Sequence, residues 1–348
     1  MYILGNVLTQ NFYPIRIRPI CTLLAGYRSQ TPQKTITRSL FKMAENNSED
    51  TGMAQKTILR YQHDASTLSL RTGITSFRPL SDLSEANSSL FKAANPNPEQ
   101  DFILTAEETI FHPQGGGQPS DEGTITILPS GGEEDNGKSS TTESESTSQP
   151  PPTLEMRLAR HEATNPNIVL HLVRFINTTA TKALPKPSTP ILLNVDPTKR
   201  TLYSRLHTAG HVLGGAVRST VSASVPDFSE LKASHFPSSA SCEFSGLISS
   251  DWKAAIQSKV DEIVASAEPV RISFWGKEDF EREGLERLVP EGWDWESSGE
   301  LRVVRIGEVD VYPCGGTHVA TTDLCGRVGV RKISRQKGVS RVGYTVEE

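Results

Sequence analysis

The sequence predicts an α+β protein, with a small β-barrel-like domain followed by an α+β domain that carries a metal site. Three observations support this. Alternating apolar and polar residues fill the first half, a long helical repeat begins only after Asp196, and no βαβ regularity links the two.

Residues 1–56 read as an extension. The first 44 contain six basic residues and no Asp or Glu, the composition of a mitochondrial transit peptide. The alternative is a disordered or misassigned leader ahead of a start at Met43 or Met53. The rest of the chain then carries 30 basic against 41 acidic residues, a balance that argues against tight non-specific nucleic-acid binding. A local exception runs over 324–346, where Arg327, Arg331, Lys332, Arg335, Lys337 and Arg341 occur without an acid. It is either a contact surface for nucleic acid or a solvated hairpin face. The four cysteines are scattered and form no disulfide framework, so a reducing compartment is expected. Apolar runs fall well short of the ~20 residues of a membrane helix, so a soluble protein is expected.

Residues 57–175 form the expected β domain. Ile125 and Ile127 alternate with Thr, and Leu154, Met156 and Leu158 alternate with charged residues. Residues 129–152 between them are rich in Gly, Ser, Thr, Glu and Pro and are expected to be a disordered loop. Residues 176–190 suggest an interdomain linker. A second domain is expected over 191–348. Asp196-Pro197 is a helix start, and Leu202, Leu206, Ala209, Leu213 and Val217 then repeat at helical spacing. A second helix fits 251–267, and strands fit 270–275, 301–306, 328–333 and 341–346.

On the first helix His207 and His211 stand at i and i+4, one turn apart on one face. No Glu follows His207, so the zinc-protease pattern is absent. Further on, Cys314-Gly315-Gly316-Thr317-His318 brings a thiol and an imidazole close together across two glycines. Alone, each half is a weak signal, since the second also reads as a glycine turn with a buried Cys and a surface His. Together they offer three His and one Cys, donors suited to tetrahedral zinc. Four protein ligands are the usual mark of a structural site and three of a catalytic one, which leaves the role of the zinc open.

His-x-x-x-His followed about a hundred residues later by Cys-Gly-Gly-Thr-His resembles the editing domain shared by alanyl- and threonyl-tRNA synthetases. Upstream, residues 111–123, Phe-His-Pro-Gln-Gly-Gly-Gly-Gln-Pro-Ser-Asp-Glu-Gly, resemble the glycine-rich motif of alanyl-tRNA editing proteins. Ser234 to Phe244 resembles a family strand, and Lys337-Gly338-Val339 its C-terminal turn. Departures are His112, where tyrosine is more usual, and the long 129–152 loop. The resemblance covers roughly 57–348 and implies a freestanding editing deacylase that binds Zn²⁺ through His207, His211, Cys314 and His318. It further implies hydrolysis of Ser-tRNA for alanine, and of Gly-tRNA, with no room before residue 57 for a charging domain. Thr317 and Gln118 are its candidate catalytic contacts. Gly115, Gly116, Gly117, Arg335 and Lys337 are candidate substrate contacts. Rival expectations are a non-catalytic zinc-stabilised tRNA-binding module, a threonyl-type editing enzyme and a generic zinc esterase. The compartment follows the start codon: cytoplasm, or mitochondrion through the basic N-terminus. The sequence does not set the oligomeric state.

Overall fold

Alternation in the first half closes a barrel. The computed structural model describes residues 56–129, 150–176 and 184–347. The chain divides into two units, Met1–Ala54 and Gln55–Glu348, and everything below concerns the second. The expected N-terminal extension and the heart of the expected disordered loop lie outside the described residues.

The barrel is built in chain order from β1 (Ile58–Leu59), β2 (Ser69–Pro79), the short helix α1 (Glu85–Ser89), β3 (Asp101–Ala106), β4 (Glu108–Thr109), β5 (Gly123–Ile127), β6 (Thr153–His161), β7 (Val169–Phe175) and β8 (Pro190–Val195). β1 and β4 pair in parallel at the side. The other strands close antiparallel in the order β2-β3-β7-β6-β5-β8. Ile125, Leu154, Met156, Val173 and Leu193 fill its interior, as alternation requires. β5 ends at Ile127 and β6 begins at Thr153, and the two are direct antiparallel neighbours, with Thr126 opposite Thr153.

The domain boundary differs from the sequence expectation. β8 pairs with both β2 and β5, so residues 190–195 complete the barrel, and 176–190 connect two barrel strands instead of two domains. A lone strand cannot satisfy its own backbone groups, and the barrel supplies both of its edges.

The helix α2 (Pro197–Val221) then begins, capped by the Asp196 carboxylate accepting from the Thr198 and Lys199 amides, with Pro197 in the first turn. α2 and α3 (Lys253–Ala265) pack on a sheet of order β14-β15-β10-β9. Its strands are β9 (Ser229–Ser234), β10 (Ser241–Ser245), β14 (Arg327–Gln336) and β15 (Val339–Glu347). Leu206, Leu213, Val217, Ile256 and Val260 meet Phe244, Val330, Val342 and Tyr344 in the core between them. The segment expected to be one family strand, Ser234 to Phe244, is a hairpin, because Pro237, Ser238 and Ser239 interrupt it. A third sheet holds β11 (Val270–Trp275), β12 (Leu301–Ile306) and β13 (Asp310–Pro313). It is covered by α4 (Lys277–Glu283) and α5 (Trp295–Ser298), with Trp275, Phe280 and Val303 in its core.

Arg200 locks the barrel to α2. It is 3% exposed, and its Nε donates to the buried Asp121 carboxylate at 3.0 Å while Nη2 donates to the Ile110 carbonyl at 2.6 Å. A buried guanidinium is tolerated only when paired and fully bonded, and this one is.

Candidate metal centre

Helical spacing puts His207 and His211 on one face of α2, and the end of β13 delivers Cys314 and His318 to them. One ligand atom from each of the four lies within 4.8 Å of all the others. The Cys314 Sγ stands 3.4 Å from His207 Nε2 and 3.3 Å from His318 Nε2. Tetrahedral coordination with metal–nitrogen and metal–sulfur distances of the zinc type separates such atoms by about 3.5 Å.

The proton inventory makes the case for an ion. His207 Nδ1 faces the Gln118 Oε1 at 2.7 Å, His211 Nδ1 the Asp310 Oδ2 at 2.9 Å, and His318 Nδ1 the Thr208 hydroxyl at 3.1 Å. The first two partners accept, so Nδ1–H donates and Nε2 is left as a bare lone pair. Imidazole lone pairs and one sulfur then converge on a point. A single S–H cannot satisfy them all, and a cation can. Charge argues the same way. Burial acts to lower the pKa of His211, but Asp310 and Cys314 outweigh it and raise the value, so this corner attracts positive charge. Burial first, and then the charge of neighbouring histidines and, for His318, of Arg302, pushes His207 and His318 well below the usual imidazole range, which keeps them neutral and fit to ligate.

A second layer holds this set. Asp310 also accepts from Arg218 Nη2 at 2.9 Å, and Arg218 in turn reaches Glu230 at 2.5 Å. Arg302 pins the Cys314 loop: its Nη1 donates to the Cys314 carbonyl and its Nε to the Gln62 carbonyl at 2.8 Å. Gly316 has no room for a side chain, since a Cβ there would lie 2.2 Å from His207 Nδ1.

The residues expected to contact substrate divide. Gln118 and Thr317 are both fully buried. The Thr317 hydroxyl accepts from Gln118 Nε2 at 2.9 Å and from Ser204 at 2.8 Å, and its amide donates to Gln118 Oε1 at 3.0 Å. Gln118 bonds His207 directly, Thr317 reaches it through Gln118, and neither lines the cavity described next. Residues 115–118 form a two-residue turn with mutual backbone hydrogen bonds and positive φ at Gly116 and Gly117. A Cβ on Gly117 would lie 2.4 Å from the Ala233 carbonyl oxygen, so the turn can dock on β9 only as glycine. Gly115, Gly116 and Gly117 line a cavity of about 530 Å³ together with His207, His211, Cys314 and the β9–β10 hairpin. Arg335 and Lys337 lie at the β14–β15 turn and do not line it.

Sequence reasoning missed His235, Asp310 and Glu230, which also line the cavity. His235 is 3% exposed and stacks on His207 with ring centroids 4.3 Å apart. Its signal was a histidine in the turn of a segment read as a strand. Asp310 carried a cue in its place four residues before Cys314.

Residues 301–342, which include Cys314 and His318, match the family of the threonyl and alanyl tRNA synthetase second additional domain. The chain is 25% identical over 283 residues to an alanine–tRNA ligase of Thermotoga petrophila, an alignment covering 78% of this chain and 27% of the relative. It is 24% identical over 266 residues to the alanyl-tRNA editing protein AlaX-L of Pyrococcus horikoshii, covering 73% of this chain and 54% of the relative. The chain thus spans about a quarter to a half of the length of these relatives. The candidate ligand set on α2 and just after β13, the match across its second half and these alignments together make the chain similar to the alanyl-tRNA synthetases and alanyl-tRNA editing proteins that carry this second additional domain.

Proposed function

We propose that the protein hydrolyses the ester of misacylated tRNA for alanine, chiefly Ser-tRNA and also Gly-tRNA, acting in trans on tRNA charged by another enzyme. The observation that carries this reading is the position of the ligand cluster. His207, His211 and Cys314 face a cavity of about 530 Å³, large enough for an esterified amino acid and part of its ribose. A buried structural ion needs no such cavity. The names of the relatives support the choice of tRNA and of alanine.

The ion that fits the donor set is Zn²⁺, held by His207, His211, Cys314 and His318. When bound it supplies Lewis acidity and a fixed positive charge at the base of the cavity. The rest of the work falls to the chain. Gln118 and Asp310 hold two of the ligand imidazoles in one tautomer. Glu230 and Asp310 supply negative charge suited to the ammonium of an esterified amino acid. The turn at Gly116-Gly117 and the β9–β10 hairpin wall the cavity.

The test compares deacylation of Ser-tRNA and Ala-tRNA at equal concentration. Much faster release of serine is expected, and equal rates remove the editing function. Four protein ligands also favour a second reading, a zinc-stabilised tRNA-binding module, and hydrolysis of neither substrate with tRNA still bound would establish it.

A further inference from the structure

The buried ring of His235 leads beyond metal binding. It sits in the turn between β9 and β10, stacked on His207 yet outside the four-residue ligand cluster. Its Nδ1 lies 2.6 Å from the Tyr344 hydroxyl. That hydroxyl donates its one proton to the Leu206 carbonyl at 2.9 Å, so it can only accept from His235. The proton of the neutral ring is therefore on Nδ1, and Nε2 is an acceptor.

Nε2 has no protein partner. Among the described residues, the only fully buried side-chain nitrogen or oxygen atoms without a partner are Arg78 Nε and Arg302 Nη2. His235 Nε2 therefore opens on the cavity that His235 lines. The ring is cradled on both sides of that atom. A Cβ on Gly210 would lie 2.3 Å from Cε1, and one on Gly117 would lie 3.2 Å from Cδ2. Two glycines thus make room for an imidazole whose acceptor faces inward.

We infer that His235 is the specificity residue of this cavity, accepting a hydrogen bond from the side-chain hydroxyl of the esterified amino acid. The inference rests on the deacylase reading given above. Other donors on the substrate fit less well. The α-ammonium is matched by the carboxylates of Glu230 and Asp310 in the same cavity. The ribose hydroxyl belongs at the mouth, where the tRNA must leave, whereas His235 is 3% exposed and forms inner wall. An amino acid without a hydroxyl leaves Nε2 without the hydrogen bond that serine offers, and that penalty falls on alanine.

Non-hydrolysable 3′-amide analogues of seryl-, alanyl- and glycyl-adenosine test this by calorimetry on zinc-loaded protein. The native protein should bind the seryl amide at least about tenfold more tightly than the alanyl amide. His235→Phe keeps a ring against His207 and should bring that ratio to within about twofold of unity. Tyr344→Phe keeps the histidine but frees its tautomer and should lower the ratio to an intermediate value. It serves where His235→Phe does not fold. A variant that weakens both amides equally and keeps the ratio overturns the inference and leaves the deacylase reading standing. Failure of the native protein to bind any amide removes both.

Discussion

Gln118 reaches from the barrel to the back of His207, and its loss should be felt at the metal. Its Oε1 accepts from both His207 and the Thr317 amide. Second-layer partners of this kind carry about ten- to a hundredfold in metal affinity. Gln118→Ala should therefore lower zinc affinity by that factor, measured by chelator competition, with the fold retained. Cys314→Ser should cost far more and empty the site on purification. Gly117→Ala belongs at the same scale. Its φ of +82° and the Ala233 carbonyl oxygen 2.4 Å from the added Cβ make it strained twice over, and it should destabilise by about 2 kcal/mol or more in urea titration. The sequence disclosed the four-residue cluster because its donor types and spacing have few other uses. It did not disclose the role of Gln118 and Thr317. Which way a polar side chain points depends on contacts from segments 89 and 199 residues apart, and no local pattern records them.

The helices and strands follow their local chemistry closely. α2 starts where Asp196-Pro197 predicts, and Asp196→Ala should cost about 1 kcal/mol through the lost cap. Its apolar repeat is the face that packs on the sheet. The expected boundary at residue 191 cuts β8 from its barrel because a six-residue, mostly apolar strand has no mark of which sheet it will join. The connection over 131–150 joins strands that are already neighbours through Thr126 and Thr153. Its deletion with a short turn in its place should leave the thermal midpoint within a few degrees, since closure entropy changes slowly with length. At the β14–β15 turn, neutralising Arg335 and Lys337 together should weaken tRNA binding and flatten its salt dependence, with zinc content unchanged.

For the whole molecule, the barrel should be sensitive to acid. His112 and His171 are buried, and burial pushes each down to about 4. His171 spends both ring nitrogens internally, on the Leu104 carbonyl at 3.1 Å and the Thr109 hydroxyl at 2.9 Å. The folded values lie below the ordinary one of about 6.5, so the unfolded chain takes up protons first as pH falls. Stability is then full above pH ~6.5 and declines toward pH ~4, by on the order of 3 kcal/mol for each histidine. His171→Asn should be less stable than the native protein at pH 7 but lose less between pH 7 and pH 5 in urea titration.

The contact of Gln118 with His207 also bears on how such a unit can be inherited. All four ligands lie after Pro197, so a gene fragment starting there would encode every atom that touches the ion. It would lack Gln118, the glycine turn that walls the cavity, and the Asp121 that neutralises Arg200. The portable unit is therefore larger than the ligand-bearing one. A recombination event that preserved function would have to carry barrel and helix together, and the junction at residues 195–197 is a poor place to cut.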